Sequence, residues 1–265
     1  MTPVILFRAG NLEQEAELLV ASQYFPVYRY RSEIPKDSLV IGRFSTLPYY
    51  WELEKDLKNI GSFLINSYNQ HRWISSFDYY EDLKDFTPRS WDERDFYKSG
   101  YDGPLVLKGR TNSRKQLWST QMYCKDSKAA IDVASILAND PLIGPQGIIY
   151  REYVPLKALE ICPISGMPFA NEWRFFFYKE WLLTAAFYWT NASEEACNKA
   201  DLPSDAIYMA RDIAKIASKH ANFFVLDLAE KADGGWTLIE VNDGTCAGVD
   251  ENRYHELYGE LRKAL

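Results

Sequence analysis

Apolar positions along this chain recur every second residue in some stretches and every third or fourth in others. The switches between the two patterns mark its elements. Val4 to Phe7 is a short apolar run of buried-strand type. Asn11 stands where it can cap a following helix, with Glu13, Glu15 and Glu17 near the positive end and Leu12, Leu18 and Leu19 supplying apolar contacts. Tyr24 to Tyr30 and Leu39 to Phe44 read as strands, Trp51 to Lys58 as a helix, and Ser62 to Ile65 as a further strand. The alternation predicts a small α/β layer over roughly residues 1–66.

From Asn66 the pattern changes. Trp73 to Lys84 reads as a helix that Thr87-Pro88 ends. Leu105 to Lys108 is a strand leading into a polar loop, Gly109 to Gln116. Lys128 to Asn139 is a helix closed by Pro141, and Gly147 to Val154 is another strand. Trp173 to Tyr178 and Trp181 to Trp189 form an aromatic antiparallel pair turning at Lys179-Glu180. Ser204 to Ala221 is a helix, and Tyr254 to Leu265 closes the chain as another. No internal repeat or low-complexity segment occurs.

Length and composition narrow the choices. The 265 residues, 47% hydrophobic and 15% aromatic, suffice for a substantial core, and global disorder is excluded. A net charge of −7 argues against a broad nucleic-acid surface, although a local basic patch is compatible with it. The cysteines, at 124, 162, 197 and 246, form no CxxC pair, so neither zinc nor a disulfide framework is indicated. No apolar stretch reaches membrane-spanning length and no signal-peptide pattern opens the chain, so the expected location is cytoplasmic.

The densest chemical information lies in Phe223 to Gly244. Two apolar runs flank an Asp-Gly-Gly turn, a hairpin signal. Residues i and i+2 of a strand share a face, so Glu240 and Asn242 project together and Asp227 can face them from the paired strand. Three oxygen donors on one face suit Mg²⁺. Polar residues that merely mark strand ends would give the same pattern.

Other motifs are weaker singly. Lys108 ends an apolar strand, and Lys115 lies across a loop holding Gly109, Thr111, Asn112 and Ser113. A strand-end ammonium beside free backbone N–H groups suits polyphosphate, as it would suit an ordinary solvated loop. Ile148 to Pro155 is an extended segment whose backbone groups match the edge of an adenine, or a plain core strand. Glu172 and Arg174 share a strand face, and Arg174 suits a phosphate oxygen or a surface ion pair. No GxxxxGK[ST], GxSxG or HExxH occurs, and His71, His220 and His255 show no metal spacing.

In order, these pieces are a lysine strand, a polar loop, a helix, an REYV linker, an E-x-R strand and an acidic hairpin ending E-x-N. Over roughly Asn66 to Gly248 this resembles the ATP-grasp superfamily, and within it the clade named for one arginine and two lysines. The resemblance implies an α+β fold in which two lobes sandwich the nucleotide behind a small α/β domain: residues 1–66, then lobe A over 67–154 and lobe B over 155–265. It implies ATP and Mg²⁺ as cofactors. Lys108 and Lys115 would meet the phosphates, the backbone of Glu152, Tyr153 and Val154 the adenine, and Glu160 the ribose. Asp227, Glu240 and Asn242 would hold Mg²⁺. Arg174 would be the clade arginine, with Arg151 as its competitor, and catalysis would fall to Lys108, Lys115 and Arg174.

Two departures stand out. The helix before the nucleotide sheet lacks its usual lysine, Arg72 being the nearest cation, and the phosphate loop is not strongly glycine-rich. The implied activity is ATP-dependent ligation of a small-molecule or peptide carboxylate to an amine through an acyl phosphate. A kinase of a small acceptor and a nucleotide-binding module without turnover are the alternatives. Arg8 and Arg43 follow apolar strands and would suit a substrate carboxylate, or are scattered surface arginines.

Overall fold

Four apolar clusters organise the chain around three sheets and a short hairpin. The structure is a computed structural model and describes residues 1–8, 10, 14–46 and 48–265. The expected cap at Asn11, with Leu12 and Glu13, lies outside the described residues. The N-terminal sheet is parallel, β1 (Thr2–Leu6), β2 (Val27–Tyr28), β3 (Ser38–Gly42) and β4 (Phe63–Leu64), in the order β2-β1-β3-β4. The strand expected from Tyr24 shrinks to two residues because Tyr24 and Phe25 donate their N–H groups to Ala21 O and so close the preceding helix. Helix Tyr50–Lys58 lays Tyr50, Leu53 and Leu57 on one face of this sheet.

The helix expected over Trp73 to Lys84 is two helices, Tyr68–Ser75 and Tyr79–Leu83. Phe77 sits between them at φ 69°, a left-handed conformation that a right-handed helix cannot absorb. The first of these helices begins earlier than its apolar period shows, because Ser67 and Gln70 form a capping box.

The second sheet is antiparallel, β5 (Ser90–Trp91), β6 (Leu105–Gly109), β7 (Tyr123–Cys124) and β8 (Ile148–Glu152), in the order β5-β8-β6-β7. Helix Ser127–Ala138, capped by the Asp126 carboxylate on the N–H of Ala129 at 2.8 Å, buries Ala130, Val133, Ala134 and Leu137 against it. A hairpin of β9 (Ala158–Ile161) and β10 (Pro168–Ala170) leads to the largest sheet. Its strands β11 (Glu172–Tyr178), β12 (Trp181–Phe187), β13 (Phe223–Glu230) and β14 (Trp236–Asp243) run in the order β12-β11-β13-β14.

This last sheet is buried on both faces, which is why its strands read as near-continuous apolar runs. Phe175, Phe177, Phe224 and Leu226 pack on helix Ser204–Ala217. Phe176, Phe223, Val225 and Leu183 pack on Ile5, Phe7 and Ile41 of the N-terminal sheet and on Leu257 and Leu261 of the C-terminal helix Tyr254–Ala264. Among the described residues no helix is long and apolar enough to cross a membrane.

Candidate active site

The second of these faces changes character along its length. Phe176 gives way to Arg174 and Glu172 on β11, and Val225 to Asp227 on β13. On β14 the partners of Val225 and Asp227 are Asn242 and Glu240. The apolar half binds the core, and the polar half is left to face the second sheet.

The structure brings the oxygen donors together. Asp227 and Glu240 are direct cross-strand partners, and a register shift follows immediately at Asp227/Leu228. Asn242 Nδ2 donates to Asp227 Oδ2 at 3.0 Å and approaches Glu240 Oε2 at 3.4 Å. Each carboxylate also has a cation. Arg174 donates Nε and Nη2 to the two oxygens of Asp227, at 2.7 and 2.8 Å. Lys108 reaches across from β6 to pair with Glu240. Burial draws the Glu240 carboxyl upward, but Lys108, Lys115 and Arg151 outweigh it and hold the group below the usual carboxylate range.

Lys115 follows the polar loop after β6. Its ammonium donates to Tyr188 Oη and lies 4.9 Å from the Trp189 ring centroid. Burial works against its charge, but Glu172 and Tyr188 prevail and raise its pKa. Burial also pushes the Glu172 carboxyl up to about 7, with Lys115 opposing. The pair therefore exchanges charge stabilisation inside the cleft.

Between the second and the largest sheet lies a cleft walled by Lys108, Lys115, the Glu152–Val154 segment, Trp189 and Glu240. The N–H groups of Glu152 and Tyr153 are spent on the carbonyls of Arg89 and Pro104, at 2.8 and 2.9 Å. That of Val154 has no such bond among the described residues and is the donor this segment offers the cleft. The Glu152 side chain turns away into a fork with Arg89 at 2.8 and 3.1 Å. Glu160 is not brought to the cleft, since its carboxylate accepts the backbone N–H of Ser193 at 2.8 Å.

Two more residues complete the cleft. Arg151 is 6% exposed, donating to Ser90 Oγ and the Ile239 carbonyl, while its Nη2 has no partner. Trp189, 5% exposed, likewise has an unpartnered Nε1. Both line the cleft. Buried donors without acceptors are costly, so two in one cleft point to a ligand rich in acceptors, as a nucleotide is. In the sequence Arg151 entered only through the resemblance, as the competitor for the clade arginine, and Trp189 only as the last residue of an aromatic run, so neither carried a signal of its own for this cleft. Arg43 differs from its expectation. It is 3% exposed, tied to Glu17 at 2.8 Å, and donates to the carbonyls of Gly244 and Ala247, so it cannot meet a substrate carboxylate.

The donor chemistry fits Mg²⁺. Two carboxylates and a carboxamide are hard oxygen donors, and among the described residues no group of three or more His, Cys, Asp or Glu gathers to form a full protein cage. An ion that keeps water and phosphate among its ligands needs only such a partial set.

A lysine-bearing sheet and an oxygen-bearing sheet enclosing an acceptor-hungry cleft define an ATP-grasp protein. Residues 96–261 match the model of an ATP-grasp domain family, the third family of the clade named for one arginine and two lysines, and the chain belongs to that family. A search of curated proteins finds no match. Among solved structures it is similar to D-cycloserine synthetase DcsG, with 13% identity, a TM-score of 0.62 and 99% of each chain covered. It is also similar to the ATP-grasp ligase PsnB complexed with minimal precursor, Mg and ADP, with 12% identity, a TM-score of 0.57, and 99% and 96% covered. D-alanine–D-alanine ligase from Bacillus anthracis complexed with ATP follows at 10% identity and a TM-score of 0.56, with 100% and 99% covered. At these identities the likeness is one of fold.

Proposed function

We propose that this protein is an ATP- and Mg²⁺-dependent ligase that joins a carboxylate to an amine through an acyl phosphate. The observation that carries this reading is the meeting of Lys108 with Glu240 across the cleft, beside Asp227 and Asn242. Asp227, Glu240 and Asn242 would hold Mg²⁺, and Lys108, Lys115 and Arg151 would face the phosphates. Val154 N–H would meet the adenine. Arg174 acts through Asp227, which it orients. In this reading residues 1–66, 67–154 and 155–265 serve as substrate-side domain, lysine lobe and oxygen lobe.

In the reaction, an oxygen of the substrate carboxylate bonds to the γ-phosphorus and ADP leaves. The amine nitrogen then bonds to the acyl carbon, the acyl C–O bond to phosphate breaks, and the amine proton is released. Bound Mg²⁺ supplies neutralisation of phosphate charge. The side chains position the reactants and offset developing charge, and no protein nucleophile takes part. A carboxylate substrate is favoured over a hydroxyl. Asp227 and Glu240 are both bound to cations and poorly placed to take a hydroxyl proton, whereas a carboxylate is already an anion.

The test is ADP release with purified protein, ATP and Mg²⁺. Release that requires both a carboxylate and an amine supports ligation. Release with a hydroxyl compound alone means a kinase, and unchanged ATP against a broad panel means a binding module.

A further inference from the structure

The two walls of the nucleotide cleft continue past it in the same direction. On β14, Ile239 and Glu240 line that cleft, while Val241, Asn242 and Asp243 line a second one of about 180 Å³. From β6 the same holds: Lys108 lines the first, and Arg110 through Asn112 line the second. At about 3.3 Å per strand residue, the second cleft begins roughly 3 Å beyond Glu240 and runs to about 10 Å beyond it. It therefore directly adjoins the phosphate-binding groups, with Asn242 in its wall. Its third wall comes from Ser45 and His71.

Two groups there lack partners. Arg110 is half-buried and has no ion pair or hydrogen bond among the described residues. Its neighbour Arg114, by contrast, is held by Asp140 through two bonds of 2.6 Å. His71 is 2% exposed, with Nδ1 2.8 Å from Asp243 Oδ2 and its ring stacked on Tyr50 at 4.0 Å. Asp243 is itself fixed by Asn66 at 3.0 Å and by Thr245. With the Nδ1 hydrogen directed at this carboxylate, a neutral ring offers Nε2 as an acceptor. Nε2 is buried and has no partner.

We propose that this second cleft binds the carboxylate substrate of the ligase reading above, on which this inference rests. The substrate is a small carboxylate that carries an N–H or O–H group of its own. Its carboxylate meets the Arg110 fork, and its donor meets His71 Nε2. A cavity of about 180 Å³ is below the ~300–1,000 Å³ of sites that hold drug-sized ligands, so the occupant is of amino-acid or hydroxy-acid size. A guanidinium suits a carboxylate because its planar donors match both oxygens.

The test supplies ATP, Mg²⁺ and hydroxylamine, which converts an acyl phosphate to a hydroxamate. The carboxylates are glycine, both alanines, serine, lactate and, lacking a donor, propionate. Binding of ADP with Mg²⁺ is measured in parallel. We expect hydroxamate from at least one amino or hydroxy acid, and much less from propionate. Arg110→Ala should raise the KM for that acid about ten- to hundredfold, Arg110→Lys less, with ADP binding unchanged. His71→Phe should remove the preference for donor-bearing acids over propionate. Intact ADP binding with no hydroxamate from any acid overturns the proposal, as does an unchanged KM in Arg110→Ala. If the wild-type protein does not bind ADP with Mg²⁺, the ligase reading itself falls.

Discussion

Arg174 on β11 grips Asp227 on β13 with two parallel hydrogen bonds, 2.7 and 2.8 Å long, while its Nη1 donates to the Gly248 carbonyl at 3.1 Å. Asp227 is 1% exposed. Removing the guanidinium would strand a buried charge. Arg174→Ala is expected to cost roughly 3–5 kcal/mol in urea unfolding. Arg174→Lys keeps the charge but loses the fork, so it should fold and need more Mg²⁺ for half-maximal turnover. A lysine variant with wild-type Mg²⁺ dependence would show that Asp227 needs no orienting.

Lys108 and Glu240 form the ion pair that spans the cleft. Loss of one electrostatic contact to a reacting phosphoryl group typically costs about two to three orders of magnitude in rate. Lys108→Met and Glu240→Gln should each show such a loss in ADP release, with circular dichroism unchanged. The double variant should lose less than the product of the two. Full multiplicativity would mean that the residues act independently.

Glu172 makes stability depend on pH in a defined direction. In the folded chain its carboxyl holds a proton up to about 7, against an ordinary value of 4.5. Between those pH values the folded state binds more protons than the unfolded one, so this group's contribution falls as pH rises. At about 1.4 kcal/mol per unit the full effect is on the order of 3 kcal/mol. Urea midpoints of Glu172→Gln should therefore gain on the wild type between pH 5 and pH 7. A constant difference across that range would contradict the assignment.

Gly244 ends the oxygen strand under the ring of Phe223. A methyl group there would lie 2.7 Å from the ring carbons. Phe223 is fully buried in the shared core, so the ring has no room to retreat. Gly244→Ala should destabilise by about 1–3 kcal/mol, measured as a lowered urea midpoint. An unchanged midpoint would mean that the turn shifts instead.

The sequence carried the parts of this site that depend on local period. Two-residue spacing put Glu240 beside Asn242, and the hairpin turn put Asp227 opposite. It did not carry what depends on contacts between distant segments. The bond from Arg174 to Asp227 spans 53 positions, and that from His71 to Asp243 spans 172. In the sequence His71 stands isolated for that reason. Glu17 reads as a residue near a helix end but is buried against Arg43 and Tyr258, because the C-terminal helix covers it. The break at Phe77 leaves no mark on the pattern because an apolar period does not record the sign of φ.

The Arg43 clasp bears on how the molecule can move. Arg43 extends from the end of β3 to the backbone of residues 244 and 247, just past the oxygen strand, and one core runs through the N-terminal sheet, the largest sheet and the closing helix. The sheet of β5 to β8 rests mainly on a core of its own with the helix at 127–138, and Ile149 alone of its described strand residues joins the core behind the largest sheet. Any opening for substrate entry is thus expected on the lysine side, with the rest serving as a stationary frame. Distances between labels on residues 128 and 208 should change when ADP and Mg²⁺ are added, and those between residues 30 and 208 should not.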